Sequence, residues 1–161
     1  MSHIKTRWAD SVNIENPLSE YPRPQLVRND WQCLNGKFDF TITGKTEDIP
    51  ENFDDEIIVP FAPESYLSGL EKTIEPDDYM WYRKKFILDD CFEGKRCILH
   101  FEAVDWRCMV YINGKPVGTH QGGYIPFSFD ITNHLREGFN ELVVRVFDPT
   151  ETGWQDRGKQ V

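Results

Sequence analysis

The chain of 161 residues lacks any apolar run approaching the ~20 residues that a membrane-spanning helix needs. Its first ten residues contain no apolar segment typical of a secretory signal, and no Asn-x-Ser/Thr glycosylation sequon occurs anywhere. Basic residues are few: 18 Lys and Arg stand against 27 Asp and Glu, which gives a formal net charge of −9. We therefore expect neither a membrane nor a nucleic acid as a partner, because anionic surfaces repel an acidic chain.

Cysteine is also scarce, and the four are Cys33, Cys91, Cys97 and Cys108. Without a secretory signal we interpret them as reduced thiols of a cytoplasmic protein, an interpretation that a signal removed ahead of Met1 would overturn. There is no Cys-x-x-Cys pair, and metal-ligand spacing is absent from the histidines, which are His3, His100, His120 and His134. Nucleotide and nucleophile fingerprints are absent too, so we expect no metal and no cofactor.

The residues that are present predict a folded, all-β domain. The chain is 39% hydrophobic and 14% aromatic, which is unlike a disordered protein. Apolar and polar residues alternate as in half-buried strands over several segments, and Asn113-Gly114 suits a type I′ hairpin turn. About eight short strands are predicted, at residues 38–43, 57–59, 81–88, 97–103, 108–112, 115–119, 127–129 and 141–147.

The spacing of these strands indicates the architecture. Eight short strands without a long helical period predict a β-sandwich or closed barrel, and their irregular connections favour a jelly-roll sandwich. The polar, Pro-rich residues 1–30 are predicted to form an extended arm, and residues 31–161 the sandwich domain. At most one helical turn is expected after Asp130-Ile131-Thr132.

Two kinds of side-chain cluster are candidates for function. The acidic clusters Asp54-Asp55-Glu56, Asp77-Asp78 and Asp89-Asp90 fall in predicted turns, where solvated charge is their simplest interpretation. Residues 103–107 and 120–124 instead mix aromatic rings with polar groups beside strand ends. Such mixtures bind sugars, since rings stack on apolar sugar faces while carboxylates and amides hold hydroxyls. Packing of these aromatics in the core or rim is the alternative.

An ordered set of motifs extends over about four-fifths of the chain. They are Trp31-x-x-Leu34-Asn35-Gly36-x-Phe38-x-Phe40, residues 59–65 (VPFAPES), 81–86 (WYRKKF), 99–105 (LHFEAVD), 110–115 (VYINGK), 118–124 (GTHQGGY), 126–132 (PFSFDIT), 140–146 (NELVVRV), Asp148-Pro149 and Gly158-Lys159-Gln160. Any one of them alone is weak, but together they resemble the N-terminal sugar-binding domain of glycoside hydrolase family 2, the β-galactosidase and β-glucuronidase family.

This resemblance implies a galactose-binding-domain-like jelly roll from a longer, retaining β-glycosidase, most similar to β-galactosidases. Such enzymes use two carboxyl groups about 5–5.5 Å apart, and the family carries both as glutamates on a later barrel domain. No catalytic residue is therefore expected in this chain, which we interpret as a fragment whose early end at Val161 is compatible with a missing last strand. The implied partners are a β-glycoside or oligosaccharide substrate of the full-length enzyme and its barrel domain.

Three residues are the candidate substrate-binding site. Asp105 matches a family position where Asn or Asp reaches toward the sugar, although capping a turn is an equal alternative. Trp106 and His120 are expected to stack on sugar, line the cleft or pack against the barrel. Two other functions stay open: a freestanding, lectin-like carbohydrate-binding module without hydrolase activity, and an interaction domain without sugar contact.

Overall fold

The structure is a computed structural model that describes residues 5–46 and 48–152. Within these ranges it contains eight strands, namely β1 (Gly36–Thr43), β2 (Asp55–Val59), β3 (Tyr79–Ile87), β4 (Ile98–Phe101), β5 (Arg107–Ile112), β6 (Lys115–Gln121), β7 (Phe127–Asp130) and β8 (Phe139–Phe147). The helical elements there are five single 3₁₀ turns, at Ala9–Ser11, Pro24–Leu26, Tyr66–Ser68, Asp90–Phe92 and Thr132–His134. None of these described helices has the length and apolarity needed to cross a membrane.

Two antiparallel sheets form a β-sandwich. The larger sheet has six strands in the order β2-β1-β3-β8-β5-β6, and the smaller one pairs β4 with β7. The predicted all-β sandwich is therefore confirmed, whereas its jelly-roll connectivity stays a prediction. Residues 5–35 contribute no strand, and the division into an arm and a domain also stays a prediction. His3 and the predicted loop at Gly158-Lys159-Gln160 lie outside the described residues.

The main core lies between the two sheets. Alternation along β8 sends Leu142, Val144 and Val146 into it, as predicted. The larger sheet also contributes Phe40, Ile57, Val110 and Ile112, and the smaller sheet packs against these with Leu99, Phe101, Phe127 and Phe129. Burying side chains of this size contributes roughly 1.5–3 kcal/mol each relative to leaving them in water.

A second apolar cluster covers the opposite face of the larger sheet. Trp81 is fully buried there beside Tyr79 and Val143, and its Nε1 donates a hydrogen bond of 2.9 Å to Thr43 Oγ1. The connection between β1 and β2 packs Phe53 against this cluster. The sequence predicted that Asp54-Asp55-Glu56 lie in a turn of this connection. The structure corrects this for Asp55 and Glu56, which belong to β2 because they pair with Phe40 and Asp39 of β1.

The hairpin between β5 and β6 turns at Asn113-Gly114, as predicted. Both residues have positive φ, 52° and 76°, as a type I′ turn requires. The Asn113 side chain also accepts a hydrogen bond from the Glu141 N–H and donates to Asn140 Oδ1. The turn is thereby joined to the start of β8. β5 and β8 pair without a shift, whereas β5 and β6 change register between Val110 and Tyr111.

Acid should weaken the fold through Asp130, at the end of β7. Its carboxylate accepts hydrogen bonds from the Thr132 N–H and hydroxyl and from Arg96 Nε, and these lower its pKa to about 2. The ordinary value is ~3.9, so this carboxylate stabilises the fold above about pH 4, and that contribution disappears as the pH falls toward 2. Asp130→Asn should flatten the pH dependence of the free energy of unfolding over this window, measured by urea denaturation.

Asp54→Asn is the matched control, since Asp54 is exposed in the connection before β2. It should keep the slope of the unchanged protein between pH 4 and pH 2. If both variants showed that slope, the hydrogen bonds of Asp130 would not be the source of acid sensitivity.

Candidate functional site

The two stretches that the sequence analysis singled out lie side by side at one end of the larger sheet. β5 begins at Arg107, which pairs with Phe147 at the end of β8 and with Gln121 at the end of β6. The Trp106 N–H donates to the Phe147 carbonyl at 3.3 Å, and the Gly122 N–H donates to the Trp106 carbonyl at 2.7 Å. These backbone bonds join the connection before β5 to the connection after β6.

Asp105 is half-buried at this junction, and its peptide bond to Trp106 is cis. Its carboxylate lies directly against Gly123. A Cβ added to Gly123 would stand 2.4 Å from Asp105 Oδ1 and 2.6 Å from its Cγ, far inside contact distance. Gly123 is buried, so this close approach requires a residue without a side chain.

His120 is half-buried on β6 and interacts within the domain. Its Nε2 lies 3.1 Å from the Gly122 carbonyl oxygen. Its ring stacks on Phe127, with centroids 3.9 Å apart and planes inclined by 10°. Phe127 stacks in turn on Phe101 at 4.8 Å, so the imidazole ends a column of three parallel rings.

A groove of about 1730 Å³ runs beside this junction. The segment Tyr21–Arg23, the core side of the larger sheet and β4 line it, and Asp105 lies on its wall. An ion pair of 3.2 Å between Arg23 and Glu102 joins that segment to the connection containing Asp105. Inside the groove, burial raises the pKa of Tyr82 above its ordinary value of ~10.

The three predicted site residues thus share one end of the sheet but not one surface. Asp105 lines the groove, whereas Trp106 and His120 are not among its lining residues. Trp106 is half-buried, and its backbone forms the bonds described above. The sequence analysis included Gly122-Gly123 only within the mixed aromatic and polar stretch at residues 120–124. The signal for its structural role was the glycine pair directly after a strand.

The acidic clusters form ion pairs, accept a backbone hydrogen bond, as Asp78 does from the Glu75 N–H, or stay in solvent. Asp55 pairs with Lys72 Nζ at 2.5 Å, and Asp77 pairs with Lys45. Across residues 5–46 and 48–152, no group of three His, Cys, Asp or Glu side chains is arranged to hold a metal ion. All four cysteines are free thiols, and burial raises the pKa of Cys108 to about 11.

The fold and this site define a class of protein: an antiparallel β-sandwich domain with a carboxylate and aromatic rings gathered at one end of its larger sheet. The particular family follows from comparison with known proteins. The family model described as "Glycosyl hydrolases family 2, sugar binding domain" matches residues 65–158. The chain therefore belongs to glycoside hydrolase family 2, and it is a sugar-binding domain of that family.

Two of the known proteins that are similar to this chain have the names of glycosidases. A β-galactosidase of Thermoanaerobacter pseudethanolicus is 37% identical over 116 residues, which are 64% of this chain and 16% of that protein. A putative β-glucuronidase of Formosa agariphila is 40% identical over 72 residues, which are 43% of this chain and 9% of that protein. The chain thus spans only a small part of the length of these relatives.

A solved structure of a β-glucuronidase is also similar to this chain in fold and sequence. The β-glucuronidase of Bifidobacterium dentium, complexed with coumarin-3-O-glucuronide, has a TM-score of 0.58 and 30% sequence identity. The match covers 70% of this chain and 19% of that one. The relatives therefore include β-galactosidases as well as β-glucuronidases.

Replacing Gly123 by alanine should disturb the site directly. Because the added Cβ would lie 2.4 Å from Asp105 Oδ1, Gly123→Ala should displace the carboxylate and destabilise the fold by roughly 1–3 kcal/mol. Urea denaturation measures the free energy of unfolding, and the Asp105 resonances report the displacement. Gly44→Ala is the control, since an added Cβ there meets nothing within 4 Å. Equal stability of the two variants would contradict the close contact.

Proposed function

We propose that this chain is the sugar-binding domain of a longer, retaining β-glycosidase of the β-galactosidase type, which hydrolyses terminal β-glycosides. In this proposal residues 31–161 form the domain, residues 1–30 form an arm along it, and both catalytic glutamates lie on another domain. The observation that carries the proposal is the half-buried Asp105 carboxylate, fixed on the wall of the groove. Membership of glycoside hydrolase family 2 supplies the reaction class.

The chemistry of Asp105 suits positioning of a sugar. An ionised carboxylate only accepts hydrogen bonds, and sugar hydroxyls donate them, so the pair is complementary and stronger than a neutral one. Its close contact with Gly123 limits its freedom, and a preorganised acceptor holds substrate at little cost in ordering. In the proposed enzyme Asp105 therefore orients the sugar while the glutamates of the other domain carry out the displacement.

Trp106 and His120 belong to the proposal as residues that support this carboxylate. The backbone of Trp106 follows Asp105 directly and bonds to both neighbouring connections.

The four free thiols support a cytoplasmic location for the whole protein.

A freestanding carbohydrate-binding module is the second candidate, and the groove of about 1730 Å³ favours it. Core side chains such as Leu142 and Val144 line part of this volume, so a sugar would occupy the part beside Arg23 and Asp105. The two candidates differ in what the isolated chain does. A freestanding module binds sugar alone with a defined stoichiometry, whereas a domain that completes an active site elsewhere binds it weakly.

The isolated 161-residue chain should not hydrolyse an aryl β-galactoside. The reaction needs two carboxyl groups at the spacing of a retaining enzyme, and the proposal places both outside this chain. Release of the aryl group should equal that of a heat-killed control. Turnover above that control would refute the proposal that the catalytic glutamates lie on another domain.

Titration with methyl β-galactoside, followed by amide chemical shifts, gives the affinity that separates the two candidates.

Removing the Asp105 carboxylate from the complete enzyme should weaken catalysis. Asp105→Ala should lower kcat/KM for an aryl β-galactoside about 10- to 100-fold, as expected for loss of a hydrogen bond to a charged acceptor. Asp54→Ala provides the control, because Asp54 is exposed in the connection before β2. Unchanged kinetics in Asp105→Ala would instead support an interaction domain without sugar contact. Parallel assays with an aryl β-glucuronide compare the two sugars.

A further inference from the structure

We propose that His120 is a positioning residue: it holds the Gly122-Gly123 backbone against Asp105 and thereby fixes the carboxylate. The inference rests on the proposed function of Asp105. It assigns His120 a role inside the domain, in place of the sugar contact that the sequence suggested.

The position of Asp105 depends on the backbone next to it. Gly123 allows the carboxylate to come so close that an added Cβ would lie 2.4 Å from Oδ1. The Gly122 N–H is bonded to the carbonyl of Trp106, the residue after Asp105, at 2.7 Å. A shift of residues 122–123 would therefore move Asp105 or leave space beside it.

His120 restrains this backbone from the other side. A carbonyl oxygen only accepts hydrogen bonds, so the 3.1 Å contact with Gly122 requires a proton on His120 Nε2. The stack on Phe127 at 3.9 Å keeps the imidazole in the plane that this bond needs. Gly122 has a φ of +118°, a conformation that mainly glycine adopts. The Gly122 N–H donates a hydrogen bond to the Trp106 carbonyl, and the Gly122 carbonyl accepts one from His120 Nε2.

These contacts leave His120 little capacity for a substrate. One ring face is covered by Phe127, and Nε2 is engaged with the Gly122 carbonyl. His120 is also not among the residues that line the groove. Its contribution therefore passes through Gly122-Gly123 to Asp105.

Two substitutions separate the hydrogen bond from the stack. His120→Phe keeps an aromatic ring on Phe127 and loses the donor, whereas His120→Gln keeps an N–H donor of similar reach and loses the ring. In the 161-residue chain, hydrogen exchange of the Gly122 amide should be about 3- to 10-fold faster in His120→Phe and should return toward the original rate in His120→Gln. Lys115→Gln, at the exposed start of the same strand, should leave this rate unchanged.

In the complete enzyme, His120→Phe should lower kcat/KM about 3- to 10-fold, and His120→Gln should recover most of the loss. Because the effect acts through the carboxylate, His120→Phe should cause little further loss when Asp105 is already alanine. Such non-additivity distinguishes positioning from a general loss of stability, which would lower activity in both backgrounds. Thermal melts identify any variant that fails to fold; if His120→Phe fails, His120→Leu, which also lacks the donor, is measured in the same two backgrounds.

The outcomes separate this inference from the proposed function. If Asp105→Ala lowers kcat/KM while His120→Phe changes neither kcat/KM nor Gly122 exchange, the positioning role is wrong and the proposed function stands. Equal losses with the His120 substitution in both backgrounds would also overturn the positioning role. If Asp105→Ala has no effect on kcat/KM, the proposed function fails and the positioning role fails with it, even where Gly122 exchange depends on His120.

Discussion

The contact between the Asp105 carboxylate and the backbone of Gly123 is the constraint on which the rest of the site depends. A single missing Cβ lets two connections from different parts of the chain touch, since any side chain at position 123 would occupy the space of the carboxylate. Glycine costs stability elsewhere because it loses more backbone freedom on folding than other residues. At position 123, glycine allows the Asp105 carboxylate to lie half-buried in close contact with the backbone.

The sheet brings these connections together before any side chain contributes. β5 is paired on both edges, with β8 on one side and β6 on the other, and its first residue faces the last residues of both neighbours. The connection that enters β5 must therefore pass the connection that leaves β6. Register is fixed further along by Asn113, which joins the hairpin turn to β8. The position of Asp105 thus follows from strand pairing that begins about eight residues away, because β5 and β8 pair without a shift from Ile112 to Arg107.

Much of the fold could be predicted from alternation and turn chemistry, which are local. The Asn113-Gly114 turn and the inward residues of β8 were found this way, whereas the strands at residues 57–59 and 81–88 were predicted from apolar and aromatic runs. The second apolar cluster was not, because Phe53 lies in a segment whose acidic residues indicated a turn. The contact between His120 and Phe127 could not be predicted either. Alternation gives the side of the sheet that a residue faces, but it does not show that Phe127 of the other sheet stacks on this ring at 3.9 Å.

Charge gives a physical reason to place a neutral sugar first in the proposed function, although the relatives include β-glucuronidases. A carboxylate accepts hydrogen bonds from the hydroxyls of a galactoside at no electrostatic cost. A uronate brings its own negative charge, and two such charges 4 Å apart repel by about 1 kcal/mol in water and about 4 kcal/mol near a protein surface. The net charge of −9 adds to this repulsion at longer range, within the screening length of ~8–10 Å. A uronate-specific enzyme would need cationic groups facing the sugar to overcome it. Three of the cationic side chains that line the groove, Arg23, Lys95 and Arg96, are already ion-paired with Glu102, Asp30 and Asp130.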